Sequence, residues 1–272
     1  MKNQYNKQRS KLRIAGNLIA QKSFIALVCL LLAIYSVADI SVAEPIPEVI
    51  TFCEDPWPPY TYGNVGHEPQ GGIAVELVKL IFSNLNYHAD LKLYPWKRCL
   101  AQMKTGERDA LMLLGYSNER EKYLTYSTPV VKVQDLIWFH KDKVIDWETF
   151  EDIKHLTFGR TAGFQYGEEF EQAIKRSSIR VDQANTDLLN FKKLTTGRID
   201  AFIANESTAA EIFRTHPELR ASLASAPKPL KEGPLYLGFS KQSPALAILP
   251  EVNQVIQKLK DNGDIERLFF GE

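Results

Sequence analysis

The chain has 272 residues, 44% of them hydrophobic and 24% charged, an ordinary globular mix with room for one large domain or two small lobes. Lys and Arg number 33, as do Asp and Glu. Residues 1–43 carry six of the basic side chains and one of the acidic ones, so the remainder has a net charge of about −5. That balance argues against nucleic acid and against an anionic membrane surface as partners.

Lys2, Lys7, Arg9, Lys11, Arg13 and Lys22 precede an apolar run over residues 24–35, and Ser41-Val42-Ala43 then supplies small residues before Glu44. A basic start, a short apolar core and a small-x-small end predict a secretory signal peptide over 1–43 and a periplasmic product. The apolar core is about a dozen residues, short of the ~20 that a membrane span needs. An uncleaved anchor is the competing reading, and Ser36-Val37-Ala38 is a second cleavage position. Cys29 is discounted as a lipid attachment site, because Val28 precedes it and apolar residues follow.

Residues 49–52 read as a buried strand. The loop after it, Cys53-Glu54-Asp55-Pro56-Trp57-Pro58-Pro59-Tyr60, is stiffened by three prolines and carries two acids and two aromatics. That suits either a small-ligand pocket or a hydrophobic plug. Gly71-Gly72 precede a helical pattern at Ile73, Leu77, Leu80 and Ile81. Residues 91–94 form a second strand that ends at Pro95-Trp96-Lys97-Arg98, and a helix over 97–104 stops at Gly106. An exported chain meets an oxidising compartment, so Cys53 and Cys99 are either a disulfide or two buried thiols.

The stretch 109–120 organises the rest. Residues 110–114 are an uninterrupted apolar run, read as a strand buried on both faces. Gly115 allows close backbone approach, Ser117 and Asn118 open a turn with free N–H groups, and Arg120 follows. A buried strand that ends in these features describes a carboxylate site, because the planar guanidinium fork matches two carboxylate oxygens. Pairing of Arg120 with Glu119 or Glu121 on a solvated surface is the plainer alternative.

Further on, residues 136–139 read as a strand, 146–153 as a helix and 156–160 as a strand leading into the loop 161–167. Helices follow over 168–177 and 188–195, then a strand over 198–204 that ends at Asn205-Glu206-Ser207-Thr208, and a helix from Ser207-Thr208 to about Phe213. Residues 226–230 are a connector, 235–239 a last strand, and 250–259 and 264–270 closing helices. One segment echoes another. Thr105-Gly106-Glu107-Arg108-Asp109-Ala110-Leu111-Met112 resembles Thr196-Gly197-Arg198-Ile199-Asp200-Ala201-Phe202-Ile203. Two copies of one unit predict two similar α/β lobes. The loops at their strand ends then collect at a shared crevice: 54–60, 96–98, 115–120, 163–166 and 205–207.

With these loops in hand, the chain resembles the family 3 bacterial extracellular solute-binding proteins, which serve polar amino acid uptake by ABC transporters. The resemblance rests on Trp57-Pro58-Pro59-Tyr60, Gly71-Gly72-Ile73-Ala74-Val75-Glu76-Leu77, Lys104-Thr105-Gly106 with Asp109, Ser117-Asn118-Glu119-Arg120 with Thr128-Pro129, and Gly197-Arg198-Ile199-Asp200-Ala201. It implies a periplasmic binding protein-like type II fold, two α/β lobes with a hinge and a ligand cleft between them. Lobe one would be discontinuous, 44–134 with 236–272, and lobe two would span 135–235. It implies that Arg120 holds a ligand carboxylate, that Trp57 and Trp96 sandwich the ligand, that Glu54 supplies an acid, and that Asn205 stands where the family has a second acid, with Glu206 beside it. Tyr60, Gly115, Ser117, Phe164 and Gln165 complete the expected site. Leu113 and Gly115 replace the usual small hydroxyls before the arginine, and Phe164, Gln165 and Tyr166 replace those of the second-lobe loop. These departures favour a larger or aromatic ligand.

The function expected is non-catalytic capture of a small carboxylate-bearing solute, an amino acid or derivative, by a monomer that feeds an inner-membrane ABC permease. A sensory module is the alternative, since both use the same closure. A dehydratase-like enzyme is a third reading, with Glu54, Asp55 or Glu206 as acid. The histidines at 67, 88, 140, 155 and 216 show no metal spacing, and neither a metal nor a cofactor is expected.

Overall fold

The structure, a computed structural model, describes residues 47–176 and 179–271. The expected signal peptide, its cleavage positions and Cys29 lie outside them. No helix of the described residues is long and apolar enough to cross a membrane.

The first half begins with β1 (Val49–Glu54), α1 (Ile73–Asn84), β2 (His88–Leu93), α2 (Trp96–Thr105) and β3 (Ala110–Gly115). β1 pairs in parallel with both β2 and β3. A single-turn helix, Arg120–Lys122, and β4 (Leu124–Tyr126) follow. α1 forms because Ala74, Val75, Leu77, Val78, Ile81 and Phe82 fall on one stripe and are buried. Its N-cap Gly72 has φ +122, and a Cβ there would stand 2.3 Å from the Tyr60 carbonyl oxygen, so glycine seats the helix against the loop after β1.

β5 (Val131–His140) leads into the second half, made of α3 (Phe150–Ile153), β6 (Thr157–Thr161), α4 (Glu168–Lys175), β7 (Arg180–Ala184), α5 (Asp187–Thr195), β8 (Ala201–Asn205), α6 (Glu206–Thr215), α7 (Pro217–Ser222) and β9 (Leu223–Ser225). β6 pairs in parallel with β7 and β8. β10 (Lys231–Ser240) returns to the first half, closed by the short helix Pro244–Ile248, α8 (Leu249–Asp261) and α9 (Asp264–Phe270).

The strand order is β2-β1-β3-β10-β5-β8-β6-β7, with β4 beside β10 and β9 beside β5. β5 and β10 each serve two masters. Val131–Asp135 of one pairs with Lys231–Leu235 of the other, antiparallel. Beyond that stretch β5 turns to β8 and β10 turns to β3. The cores are separate. One cluster joins Ile50, Phe52, Leu77, Phe82, Met112 and Phe239, and others on the far side join Ile137, Phe158 and Phe170, and Trp138, Phe191 and Phe202. Two packed α/β lobes joined by two strands is the architecture.

The internal echo has a structural counterpart. Gly106 and Gly197 both sit in the left-handed region, at φ +71 and +70. Asp109 and Asp200 each accept the backbone N–H of the neighbouring parallel strand, from Thr51 at 2.8 Å and from Thr157 at 3.0 Å. Each repeat therefore pins its buried strand to the neighbour with the same aspartate.

Some expected boundaries move. The helix expected over 146–153 is only Phe150–Ile153, because the Asp152 carboxylate accepts the N–H groups of Glu148 and Thr149 and caps the helix there. β7, α7 and β9 were not expected. β7 is an edge strand with three exposed residues and no apolar run. β5 and β10 are longer than their apolar halves, because their other halves run between the lobes and are polar.

Candidate functional site

The C-terminal ends of β1 and β3 bring the first-lobe side chains together. Glu54 is 1% exposed, and its carboxylate accepts the N–H groups of Leu113 at 3.1 Å and Asp55 at 3.3 Å. The loop then folds back, with Trp57 N–H donating to the Thr61 carbonyl at 3.0 Å and to its hydroxyl at 2.9 Å. Trp57 packs on Tyr60 with centroids 4.3 Å apart. Cys53 and Cys99 are joined as a disulfide, their Cα atoms 5.6 Å apart. The bridge ties Glu54's strand to the helix that begins at Trp96.

Arg120 follows β3 in the single-turn helix and is 6% exposed. Its guanidinium lies 5.2 Å from the centre of the Trp96 ring. Its Nη1 donates to the Gly115 carbonyl at 3.3 Å and its Nη2 to the Gly163 carbonyl of the other lobe at 3.4 Å. Its Nε is buried with no partner among the described residues, and no described carboxylate is within ion-pair distance. Burial depresses its pKa, though not enough to discharge it.

The second lobe closes over these groups. Phe164 stands edge-on to Trp57 and Trp96, with centroids 6.1 and 6.5 Å away. The Tyr60 hydroxyl donates to Asn205 Oδ1 at 2.9 Å, which also accepts the Ser207 N–H and so caps α6. Gln165 Nε2 donates to Glu119 at 3.3 Å. Gly163 has φ +86, and a Cβ there would meet Trp96 Cδ1 at 3.0 Å, so glycine permits this approach.

Between the lobes lies a cavity of about 90 Å³. Of the expected residues, Glu54, Trp57, Trp96, Gly115, Arg120, Phe164, Gln165 and Asn205 line it. Three expectations need correction. Tyr60 and Ser117 are buried behind the wall rather than on it, Tyr60 holding Asn205 and the Ser117 N–H donating to the Tyr126 hydroxyl at 3.2 Å. Glu206, the first residue of α6, is exposed and does not line the cavity.

The wall also holds Asp55, expected only as the acid of the enzyme reading, and three charges not expected there: Asp135, Asp187 and Lys231. Asp187 opens α5, directly after the unexpected β7. Asp135 and Lys231 face each other in register where β5 and β10 cross. The one available signal was a charged residue breaking into an apolar strand, as Asp135 does before Leu136. The carboxylates are poorly solvated. Burial, then the charge of Asp187, pushes Asp55 up to about 7. Burial raises Asp187 to about 6 against the Thr161 hydroxyl, which donates to it. Glu54 is raised by burial and then by Asp55, and Asp135 by burial against the pull of Lys231. The cavity thus offers a guanidinium with no paired carboxylate, and carboxyl groups whose pKa values burial raises, which suit a solute with a carboxylate and an amine. Among the described residues no group of three or more His, Cys, Asp or Glu side chains is arranged to hold a metal ion.

The model of the bacterial extracellular solute-binding proteins, family 3, matches residues 49–270. No curated protein matches the sequence. Solved structures match the fold. An ancestral arginine-binding protein bound to arginine superposes with TM-score 0.68 at 17% identity, over 83% of this chain and 98% of that one. A histidine kinase sensor domain with similarity to periplasmic binding proteins gives 0.67 at 17%, over 81% and 93%. An amino acid ABC transporter substrate-binding protein from Streptococcus pneumoniae bound to L-arginine gives 0.65 at 22%, over 81% and 92%.

Proposed function

The chain belongs to the bacterial extracellular solute-binding proteins, family 3, and from that premise we propose that it captures an amino acid or amino acid derivative in the periplasm by closing two lobes on it. In this reading residues 1–43 export the chain. The lobes are 44–134 with 236–272, and 135–235, hinged where β5 and β10 cross. The protein works as a monomer, without turnover, and hands its solute to an inner-membrane ABC permease. The transporter proteins among its structural neighbours support that destination. A sensory role is the second reading, favoured by the kinase sensor domain of the same fold.

One observation carries the proposal. The Arg120 guanidinium is buried between the lobes with Nε unpartnered and no carboxylate paired to it. A buried cation without a counter-ion costs several kcal/mol. The neighbouring acids do not supply the counter-ion, since burial holds Glu54 and Asp55 toward their neutral forms. An incoming carboxylate does. Glu54, Trp57, Trp96, Phe164, Gln165 and Asn205 then surround the rest of the solute, and Asp55 and Asp187 take its amine.

The test is a thermal-shift screen of amino acids, polyamines and aromatic acids, because a solute that binds only the folded chain raises Tm. Amino acids should stabilise, and their carboxamide counterparts should not. Equal stabilisation by a polyamine, which lacks any carboxylate, would remove Arg120 from its role.

A further inference from the structure

The inner cavity does not stand alone. A groove of about 770 Å³ lies on the other side of its wall. Asp55, Trp57, Trp96, Phe164 and Asp187 line both spaces. They are therefore the partition between a small, charged chamber and a larger, mostly apolar one. The groove continues over Pro56, Pro58, Tyr62, Val65, Leu188 and Ile212.

The sizes differ in a way that bears on the solute. On the same measure the inner chamber has about 90 Å³ and the groove about 770 Å³. A long side chain whose head sits on Arg120 finds most of its room beyond the partition. The partition is chemically prepared for a polar link. Trp57 Nε1 and Trp96 Nε1 are both buried with no acceptor among the described residues. Asp55 and Asp187 add acceptors beside them. Phe164 stands edge-on to both indoles in the loop between β6 and α4, and passage through the partition requires it to change rotamer.

Building on the carboxylate role of Arg120, we infer that the solute is an amino acid whose side chain ends in an amide- or amine-linked apolar group. Its head sits on Arg120. Its link crosses the partition, either kind donating to Asp55 or Asp187 and an amide also accepting from an indole N–H through its carbonyl. Its apolar end lies in the groove between Val65 of the first lobe and Leu188 of the second. The groove's area is mostly apolar, which favours a hydrocarbon or aryl occupant over a second polar group.

Calorimetry on matched pairs tests this: L-lysine with Nε-benzyl-L-lysine, and L-glutamine with L-glutamic acid γ-anilide. The expected result is that at least one capped member binds ten-fold or more tightly than its free amino acid. Val65→Asp, at a position 49% exposed and so tolerant of charge, should then bring that ratio to within two-fold. If every free amino acid binds as tightly as its capped partner, the inference falls while the carboxylate reading stands. A gain that persists in Val65→Asp also overturns it, since the groove is then not its seat. If no member of any pair binds, both readings fall together.

Discussion

Replacing Arg120 with Met separates a binding role from a structural one, because the two predict opposite signs. Methionine keeps an unbranched side chain over Trp96 and removes only the charge and its donors. In the ligand-free protein the lost interactions are weak. Two hydrogen bonds of 3.3 and 3.4 Å lie at the long edge for N–H···O contacts and together contribute no more than about 1–2 kcal/mol. The stacking on Trp96, at 5.2 Å, adds about 1–2 kcal/mol. Against these stands relief of a buried, unpaired cation, which costs several kcal/mol. The ligand-free variant should therefore be as stable as the parent or up to about 2 kcal/mol more stable in urea unfolding. Binding should suffer, because the solute carboxylate would be desolvated with no partner, a loss of about 3–5 kcal/mol. At 1.4 kcal/mol per decade that is roughly a 150- to 4,000-fold rise in Kd by calorimetry. An unchanged Kd, or a ligand-free variant weakened by more than about 3 kcal/mol, would show that Arg120 serves the fold.

Three further outcomes follow from the same geometry. Burial raises Asp55 to about 7 and Asp187 to about 6, so both hold protons when folded that they lose when unfolded. Ligand-free stability should be greatest near pH 4 and fall as pH rises through 6 and 7, whereas affinity for an amine-bearing solute should rise over that range with release of protons. Titrations at pH 6.5 in buffers of different ionisation enthalpy measure the release, and identical heats in all buffers would contradict it. Breaking the Cys53–Cys99 bridge, which closes 46 residues, should cost about 4 kcal/mol by chain entropy. A Cys53→Ala/Cys99→Ala double variant with the parent's urea midpoint would refute that figure. Gly163→Ala introduces a Cβ 3.0 Å from Trp96 across the lobe interface. It should weaken solute binding about ten-fold and lower the free energy of urea unfolding by about 1–2 kcal/mol, the cost of an alanine in the left-handed region. Small-angle scattering should find the solute-loaded variant wider than the parent, and equal radii would count against a clash in the closed form.

What the sequence disclosed and what it hid divide along physical lines. The apolar runs at 49–52 and 110–114, the glycine caps at 106 and 197 and the Asp109/Asp200 echo are local signals, each fixed by a strand's burial or a helix's end, and each has its counterpart in the folded chain. Arg120 and the aromatics of two rigid loops were legible because unusual residues sit just past buried strands. Asp135 and Lys231 were not, because their meeting depends on the register of β5 against β10, strands a hundred residues apart. Asp187 was hidden behind β7, whose polar edge gives no period-2 apolar face. Glu206 was misplaced because adjacency in sequence is not adjacency in space at a helix start. Asn205 faces inward as the cap, and the next side chain faces out.

The contacts across the cleft explain why a solute can govern closure. Among the described residues no ion pair joins the lobes, since each pair lies within one half. The bonds that cross include Tyr60 to Asn205, Arg120 to the Gly163 carbonyl, Gln165 to Glu119, and Tyr62 with Glu211 and Arg214. Each is worth about 1 kcal/mol net, and the ring contacts of Phe164 add about as much again. Those gains are offset by enclosing a guanidinium with no paired carboxylate and several poorly solvated carboxyl groups. In the proposed function a carboxylate on Arg120 favours the closed arrangement, in which the guanidinium lies between Gly115 of one lobe and Gly163 of the other. On that reading recognition and closure are one event, carried by the same side chain.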